Sequence, residues 1–527
     1  MHALRAGGAM LIGDLLARRA ALSPHRTFWR EGATSITYGQ LNADANRIAR
    51  ALLAEGVRPG DAVGVCSTNN AGYAAFHFGA AKAGAVLAHL NPRYAPEELI
   101  RLAGRCALSL IAFGEAQASL ADASRPHLPK VKRWIRFSDA TAGEAPSWAT
   151  DCAPWIAAHR PEEPVFSHGV ALREDLPFQM LFTSGTTGEP KAALISHRAK
   201  IAQGTTHALN LGLREGDRVL SSLPLHHQYA QWLAMVCVPL VGAEILARPV
   251  FDAGDSWVAL EHESVTHLPC VPTTLYRILD HPAANAGRAP HLRLIVYGAA
   301  PVDVRRIQQV RQRFPGVRLF QGFGQTETGY CLGLHDADHD VRPESVGKPD
   351  VFSEVRLLDS EGRDVAAGQV GEIVARTPYL MTGYDRDVEG TRAYFAHGSD
   401  WGRTGDLAWQ DPDGYFHLAG RTKDLIITGG ENVYAAEVER VVLTHPGVAD
   451  VAVLGVPDAD WGEAVHAAVV LKPGSVATAA DLEAHCRKSL AGFKCPKRFT
   501  FHLDFPRTAN GKVQKFLLRA QVIGGGA

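Results

Sequence analysis

Residues 183–191 bring together the side-chain types that bind phosphate groups. Four hydroxyls, two glycines and one lysine lie within this stretch. Glycines let the backbone approach an anion closely, hydroxyls donate hydrogen bonds to phosphate oxygens, and a lysine supplies positive charge. A flexible surface turn is the alternative, but so many suitable positions in one stretch favour a phosphate-binding loop. The candidate ligands are Thr183, Ser184, Gly185, Thr186, Thr187, Gly188 and Lys191.

The segments on either side of this stretch are short and apolar, as buried strands are. Residues 179–182 precede it and residues 192–195 follow it. We therefore predict a loop that joins two strands. A Walker loop has the pattern G-x-x-x-x-G-K-[ST] and opens a helix, and neither condition is met here.

Residues 321–329 form a second candidate site, suited to a nucleotide. The stretch begins with Gln321, Gly322, Phe323 and Gly324. The phenyl ring between two glycines offers a platform on which a purine can stack. Thr326 can donate to a phosphate, and Glu327 suits Mg²⁺, which prefers carboxylate and phosphate oxygens. A dinucleotide fingerprint is excluded because Glu327 replaces its third glycine, and a turn with a buried glutamate remains the alternative.

These two stretches resemble the signature sequences of the adenylate-forming superfamily, which contains acyl-CoA synthetases, peptide-synthetase adenylation domains and beetle luciferases. The resemblance extends in order through nearly the whole chain. It implies that Asp406 binds the ribose, that Arg421 contacts ribose and phosphate, and that Lys423 is a hinge. It also implies that a turn at the edge of the adenine and acyl pockets is formed by Gly298, Ala299, Ala300 and Pro301.

The resemblance assigns two further functional sites to the C-terminal part of the chain. Lys512 follows an Asn-Gly turn and corresponds to the lysine that bridges the attacking carboxylate and the α-phosphate. A lysine there neutralises negative charge as it develops during adenylation. Gly429 and Gly430 correspond to the turn that meets the pantetheine arm of coenzyme A.

The acyl site is less well defined by the sequence. His227 corresponds to a pocket histidine of the family, a gate or carboxylate-orienting group, although Gln228, Tyr229 and Ala230 depart from the usual apolar pattern. The neighbourhood of Gly329 is a further candidate for the pocket wall. Because no lysine or arginine is evidently placed to hold a second carboxylate, we expect a mainly apolar fatty or aryl acid.

The resemblance implies an ATP-dependent acyl-CoA ligase with Mg²⁺ as cofactor and CoA as co-substrate. Two alternatives stay open: an enzyme that loads the phosphopantetheine of a carrier protein, and a luciferase-like adenylate-forming oxidase. A non-catalytic relative is disfavoured because the charged motif residues are all present: Lys191, Glu327, Asp406, Arg421 and Lys512.

Strand and helix patterns alternate along most of the chain, which predicts α/β layers with largely parallel sheets. The pattern restarts after residues 420–423. We therefore predict a large N-terminal domain over 1–420 and a small, mobile α+β domain over 421–527, with helices at 435–445 and 479–490.

Composition limits the other function classes. The 54 lysines and arginines are balanced by 55 acidic residues, which argues against a nucleic-acid-binding face. No run of about 18 apolar residues occurs, so no membrane span is expected. Charged residues interrupt the apolar N-terminal run, which indicates an amphipathic helix rather than a signal peptide. With eight cysteines and no C-x-x-C pair, we expect a cytoplasmic enzyme without a zinc knuckle. The sequence does not indicate an oligomeric state.

Overall fold

A computed structural model describes residues 10–138, 143–164, 172–183, 190–300, 302–507 and 513–524. The chain forms two compact units. The first contains the described residues between 10 and 354 together with 375–402, and the second contains those between 355 and 374 and between 403 and 524.

The larger of two sheets in the first unit has nine strands within the described ranges. Its central strands are parallel, and antiparallel strands close both edges. In sheet order the strands are Lys348–Pro349, Gly329–Leu334, Arg318–Gln325, Leu294–Gly298, His267–Cys270, Arg218–Ser221, Glu244–Ala247, Thr27–Glu31 and Thr34–Thr37.

The other sheet of the first unit has eight strands in the part of the chain that is described. It carries the predicted phosphate loop, because two of its strands flank that loop. In sheet order the strands are Gly383–Tyr384, Lys191–Ser196, Pro177–Thr183, Val86–Leu90, Ala62–Cys66, Leu110–Gly114, Arg133–Phe137 and Thr150–Asp151.

Helices of the first unit connect these strands and pack on them. Local signals fix several of their ends: for helix Tyr38–Ala54, Thr37 and Gln40 form a reciprocal capping box. The α-helices are Ile12–Leu22, Tyr38–Ala54, Ala71–Ala83, Pro96–Arg105, Ala118–Ser124, Cys152–Ala157, His197–Leu211, Gln228–Trp232, Val238–Val241, Ala253–His262, Pro272–Asp280, Val304–Arg313, Asp338–Val341 and Val388–Tyr394. A π-helical turn spans Leu233–Cys237, and 3-10 turns span Glu115–Gln117, Arg125–His127 and Pro282–Asn285.

The second unit is built from two further sheets and three α-helices in the described residues. The four-stranded sheet has the order Glu354–Leu358, Gly371–Arg376, Gly402–Gln410 and Phe416–Arg421. The five-stranded sheet has the order Glu431–Tyr434, Leu425–Thr428, Gly462–Leu471 and Val448–Asp458, with Arg498–His502 parallel to the third of these. The helices are Ala435–Leu443, Ala479–Arg487 and Lys515–Gly524, with 3-10 turns at Thr422–Asp424 and Gly492–Lys494.

The predicted α/β class, the parallel sheets and the smaller α+β part are confirmed. The helix predicted over 479–490 ends at Arg487 instead. Beyond it the chain tightens, since the Ser489 N–H donates to the Cys486 carbonyl only three residues back. The domain boundary at 420/421 and the hinge at Lys423 stay predictions. None of the described helices combines the length and the apolar character needed to cross a membrane.

Candidate active site

The two strands that flank the predicted phosphate loop are antiparallel neighbours. Thr183 ends one strand and lies directly opposite Lys191, which begins the next. This pairing confirms that the loop joins two strands rather than opening a helix. The predicted ligands Ser184, Gly185, Thr186, Thr187 and Gly188 lie outside the described residues.

Lys191 is held by two side chains from a later segment of the first unit. Its Nζ lies 3.1 Å from Oδ2 of Asp387 and 4.8 Å from the ring centre of Tyr384. The Gly390 N–H and the Lys191 ammonium lower the pKa of Asp387. A Cβ atom at Gly390 would lie 2.4 Å from Lys191 Nζ, so the glycine leaves room for this ion pair.

Glu327 is buried and belongs to the same polar network. Its side chain is 8% exposed, and Oε1 accepts a 3.0 Å hydrogen bond from the Tyr384 hydroxyl. Burial raises the pKa of Tyr384, so this phenol remains a donor at neutral pH. The other carboxylate oxygen accepts no hydrogen bond from a described residue, which suits a ligand of a hard cation.

Tyr384 therefore links the lysine of the phosphate loop to the predicted metal ligand. Sequence analysis did not single out Tyr384 or Asp387. The strand Gly383–Tyr384 pairs antiparallel with the strand after the loop, with Tyr384 opposite Ala193. Only this tertiary pairing, across nearly two hundred residues of chain, brings the two side chains to the site.

The turn at residues 298–300 lies beside the second motif. Gly298 and Gly322 are register partners on adjacent parallel strands of the nine-stranded sheet. Ala299 has a left-handed backbone (φ 68°) and is exposed, as is Ala300, whereas Pro301 lies outside the described residues. Two segments that sequence analysis assigned to one pocket are thus adjacent.

Within the second motif the side chains differ in exposure. Gln321 is buried, and its Oε1 accepts a hydrogen bond from the Tyr297 hydroxyl at 3.3 Å. Phe323 and Thr326 are half-buried, and Gly324 is exposed. The phenyl ring and the hydroxyl therefore retain surface through which a ligand can be bound.

The predicted acyl-pocket histidine stands at the start of a short helix. His227 precedes helix Gln228–Trp232, and its ring centre lies 4.2 Å from that of His226. An aromatic cluster follows: Tyr229 stacks on Trp232 at 5.2 Å, and His207 stacks on Trp232 at 3.8 Å. The Tyr229 hydroxyl donates to the Val296 carbonyl at 2.9 Å, which fixes one end of this cluster.

In the second unit, the predicted ribose-binding pair is formed. Asp406 and Arg421 are register partners on adjacent antiparallel strands. Arg421 Nε donates to Asp406 Oδ1 at 2.7 Å, and Nη2 lies 3.4 Å from Oδ2. Asp406 is only 7% exposed, so the arginine orients a carboxylate that has little other freedom.

A buried glutamate that sequence analysis missed supports this pair. Glu372 receives hydrogen bonds from Arg403 Nε at 3.1 and 3.2 Å and from the Gly405 N–H at 3.1 Å. Because Gly405 immediately precedes Asp406, Glu372 fixes the backbone at the predicted ribose-binding position. In the sequence, Glu372 looks like an ordinary polar residue at the start of a strand.

The glycine pair assigned to the thiol substrate forms the tip of a hairpin in the second unit. Gly429 and Gly430 connect strands Leu425–Thr428 and Glu431–Tyr434 with left-handed backbones (φ 59° and 83°). Trp461 lies against this tip: its carbonyl accepts from the Gly429 N–H at 2.8 Å. The indole is about half exposed, and sequence analysis did not single it out.

Two predicted residues of the C-terminal region remain, and the structure describes one of them. Lys423 lies exposed in the 3-10 turn Thr422–Asp424. Lys512 lies outside the described residues. The first unit thus brings together Thr183, Lys191 and Glu327, and Gly298 with Gly322, while the second brings together Asp406 and Arg421.

Comparison with known families identifies both parts of the chain. Residues 16–385 match the family model of the AMP-binding enzymes, and residues 437–512 match that of the AMP-binding enzyme C-terminal domain. The chain is 37% identical to a feruloyl-CoA synthase of Amycolatopsis, over 96% of this chain and 97% of that protein. It is 32% identical to the long-chain-fatty-acid–CoA ligase FadD13 of Mycobacterium tuberculosis, over 97% and 98%.

A solved structure gives the same result for the fold. The anthranilate CoA ligase AuaEII, crystallised with anthranoyl-AMP, superposes with a TM-score of 0.86 at 26% identity and covers 98% of each chain. The similarity is full-length and includes both family domains, which confirms the resemblance inferred from the motifs. The chain therefore belongs to the AMP-binding enzyme family and is a ligase of the acyl-CoA synthetase type.

Proposed function

We propose that this ligase activates a mainly apolar aryl or fatty acid with ATP and transfers the acyl group to CoA. ATP and CoA are the co-substrates of its class. The observation that carries the assignment of roles is the polar network in which Tyr384 connects Lys191 to Glu327. This network joins the flank of the predicted phosphate loop to a carboxylate whose second oxygen accepts no hydrogen bond from a described residue.

The proposal assigns the triphosphate to the loop of residues 183–191 and to Glu327. Lys191 and the loop hydroxyls bind phosphate oxygens, and Thr326 donates to the α-phosphate. Glu327 would hold Mg²⁺, and the bound ion would neutralise phosphate charge. Tyr384 keeps the Glu327 carboxylate oriented, and Asp387 holds the Lys191 ammonium near the loop.

The proposal assigns the nucleoside to the remaining motif residues. Phe323 stacks on the adenine, beside the turn that begins at Gly298. The Asp406 carboxylate accepts hydrogen bonds from both ribose hydroxyls, and Arg421 contacts ribose and phosphate. Lys423 is the proposed hinge of a mobile C-terminal domain that begins at residue 421.

The chemistry proceeds in two displacements. A carboxylate oxygen of the acid, oriented by His227, attacks the α-phosphorus, and pyrophosphate leaves. Lys512 bridges the attacking carboxylate and the phosphate, an effect on the order of several kcal/mol of barrier. The CoA sulfur then attacks the acyl carbon and AMP leaves, with the thiol arm passing the Gly429–Gly430 turn beside Trp461.

The aromatic cluster next to His227 supports an apolar substrate. Tyr229 and His207 each stack on Trp232, so this part of the fold is formed by aromatic rings rather than by charged groups. Burial lowers the pKa of His207 to about 3, so its imidazole is neutral at physiological pH. One relative is named for ferulate, an aryl acid, and another for long-chain fatty acids, so the names of these relatives cover both kinds of acid in the proposal.

The eight free cysteines further support the proposed cytoplasmic location.

Lys512→Ala tests whether Lys512 acts in the adenylation step and not in thioester formation. We expect the variant to lose pyrophosphate release from acid and ATP, while it still converts supplied acyl-adenylate to the thioester. Lys488→Ala, at an exposed lysine of the second unit, is the control and should keep both reactions. Equal loss of both half-reactions in the Lys512 variant would refute the assignment.

The same assays separate the alternative functions. A panel of fatty and aryl acids with ATP, with and without CoA, reports pyrophosphate release and thioester formation. Adenylation without a CoA thioester would indicate a carrier-protein substrate. Oxygen consumption that depends on ATP and acid would indicate an oxidase.

A further inference from the structure

Lys200 is a fully buried lysine that the reaction scheme leaves without a role. It lies on helix His197–Leu211 and has 0% of its surface exposed. Its Nζ donates a 2.6 Å hydrogen bond to Oε1 of Gln228 and forms no ion pair with a described carboxylate. A buried lysine without a counter-charge is costly to folding, because its charged form loses hydration and its neutral form requires the loss of a proton, so its retention calls for an explanation.

The lysine fixes the direction of a hydrogen-bond relay. Because Lys200 Nζ donates to the Gln228 amide oxygen, the nitrogen of that amide faces away from the lysine. Gln228 Nε2 then donates to Oε1 of Gln203 at 2.9 Å. Gln203 Nε2 is consequently the free donor end of the relay, and it makes no hydrogen bond with a described residue.

The donor end lies between two parts of the proposed active site. Gln203 Nε2 lies 3.4 Å from the point that a Cβ atom on Gly329 would occupy, and Gly329 is two residues beyond Glu327. Gln228 directly follows His227 in the chain. The relay therefore lies next to Gly329, two residues from Glu327, and includes Gln228, the residue after His227.

The relay ends beside aromatic side chains. His207 lies one helical turn after Gln203, on the same face of the helix. Its ring contacts those of Trp232 and Tyr330, with centres 3.8 and 4.4 Å away. A hydrogen-bond donor next to ring surfaces suits an aromatic acid with an acceptor atom on its ring.

We propose that Gln203 Nε2 donates to an oxygen on the substrate remote from the reacting carboxylate, and that Lys200 and Gln228 position this donor. The ligand class is an aryl acid that carries a ring hydroxyl or alkoxy group. This inference rests on the proposed ligase function and narrows its substrate. An acid without the oxygen leaves the buried amide unpaired, and sites built to hydrogen-bond a substrate discriminate strongly against such analogues.

The test compares two acids that share one carbon skeleton, one with a ring hydroxyl and one without. We expect wild-type kcat/KM, measured by pyrophosphate release, to favour the oxygenated acid by about 10-fold to 100-fold. In Gln203→Leu and Lys200→Met the preference should fall to within about twofold. The loss should appear as a higher KM for the oxygenated acid and should exceed any loss for the other acid.

Two further variants keep the test independent of folding defects. Gln203→Glu preserves shape and still accepts from Gln228, but it places a carboxylate oxygen where the donor was, so the oxygenated acid should become the poorer substrate. Gln308→Leu, at an exposed glutamine on helix Val304–Arg313, should behave as wild type.

The outcomes distinguish a failure of the relay from a failure of the proposed ligase function. Pyrophosphate release from both acids without a wild-type preference, or equal losses for both acids in the Gln203 and Lys200 variants, overturns the relay and leaves the ligase function standing. No release from any fatty or aryl acid overturns the proposed function and the relay with it.

Discussion

Replacing Tyr384 with Phe removes one hydroxyl from the network that joins the phosphate loop to Glu327. The lost contact is a 3.0 Å hydrogen bond to a carboxylate that is 8% exposed. Hydrogen bonds to charged groups contribute about 1.5–3 kcal/mol net. The phenyl ring stays, so the contact between Lys191 and the ring, about 0.5–1 kcal/mol, is retained.

We therefore expect Tyr384→Phe to lower the free energy of unfolding by about 1.5–3 kcal/mol. Urea denaturation of Tyr384→Phe, Glu327→Ala and the double variant gives the coupling energy of the two side chains directly. The corresponding functional expectation is a roughly tenfold rise in the Mg²⁺ concentration that half-saturates ATP–pyrophosphate exchange, because the carboxylate loses its fixed orientation.

The measurement has a clear refuting result. A coupling energy below about 0.5 kcal/mol would mean that the two side chains act independently, as distant sites do. An unchanged Mg²⁺ dependence with normal coupling would leave the hydrogen bond as a structural feature and remove Tyr384 from the proposed metal site.

Three other variants test separate parts of the molecule. Gly429→Ala places a Cβ atom 2.7 Å from the Trp461 ring at a backbone of φ 59°, so thioester formation should fall while pyrophosphate release persists, as a two-step assay would show. Burial lowers the pKa of Lys200 well below its ordinary value, so the folded chain releases this proton at a lower pH than the unfolded chain does. Wild-type stability should therefore rise relative to Lys200→Met as the pH increases toward about 10.4, and urea denaturation with no such trend would contradict this. Glu372→Gln replaces the carboxylate that accepts from Arg403 with a neutral amide. The free energy of unfolding should fall by about 1–3 kcal/mol, and calorimetry should show weaker nucleotide binding.

The fold and the local frame of the site could be predicted because short-range signals determine them. Short apolar runs on both sides of residues 183–191 indicated two strands, and Thr183 and Lys191 are paired across them. Alternating strand and helix patterns indicated parallel sheets for the same reason. The end of helix Ala479–Arg487 was misplaced, since no glycine or proline marks its last turn.

The partners of the predicted residues could not be found in this way. Tyr384 and Asp387 reach Lys191 only because strand Gly383–Tyr384 adds to the edge of a distant strand. Sheet pairing of this kind has no local signature. Lys200 stands in a helical segment where a lysine ordinarily faces solvent, and its burial depends on how that helix packs in the first unit.

Glu327 and Lys200, two of the buried ionisable side chains of the first unit, have a common feature: each is held by a neutral group. A phenol donates to the Glu327 carboxylate, and an amide oxygen accepts from the Lys200 amino group. An opposite charge in either place would cancel the local field, whereas a neutral dipole fixes the geometry and leaves the charge uncancelled. A carboxylate without a counter-charge can attract a cation, and a lysine without a counter-charge can orient a chain of amides toward a substrate oxygen. Both arrangements therefore make sense in a site that acts on ligands, and the folding cost of each buried charge is the physical reason to look for its function there.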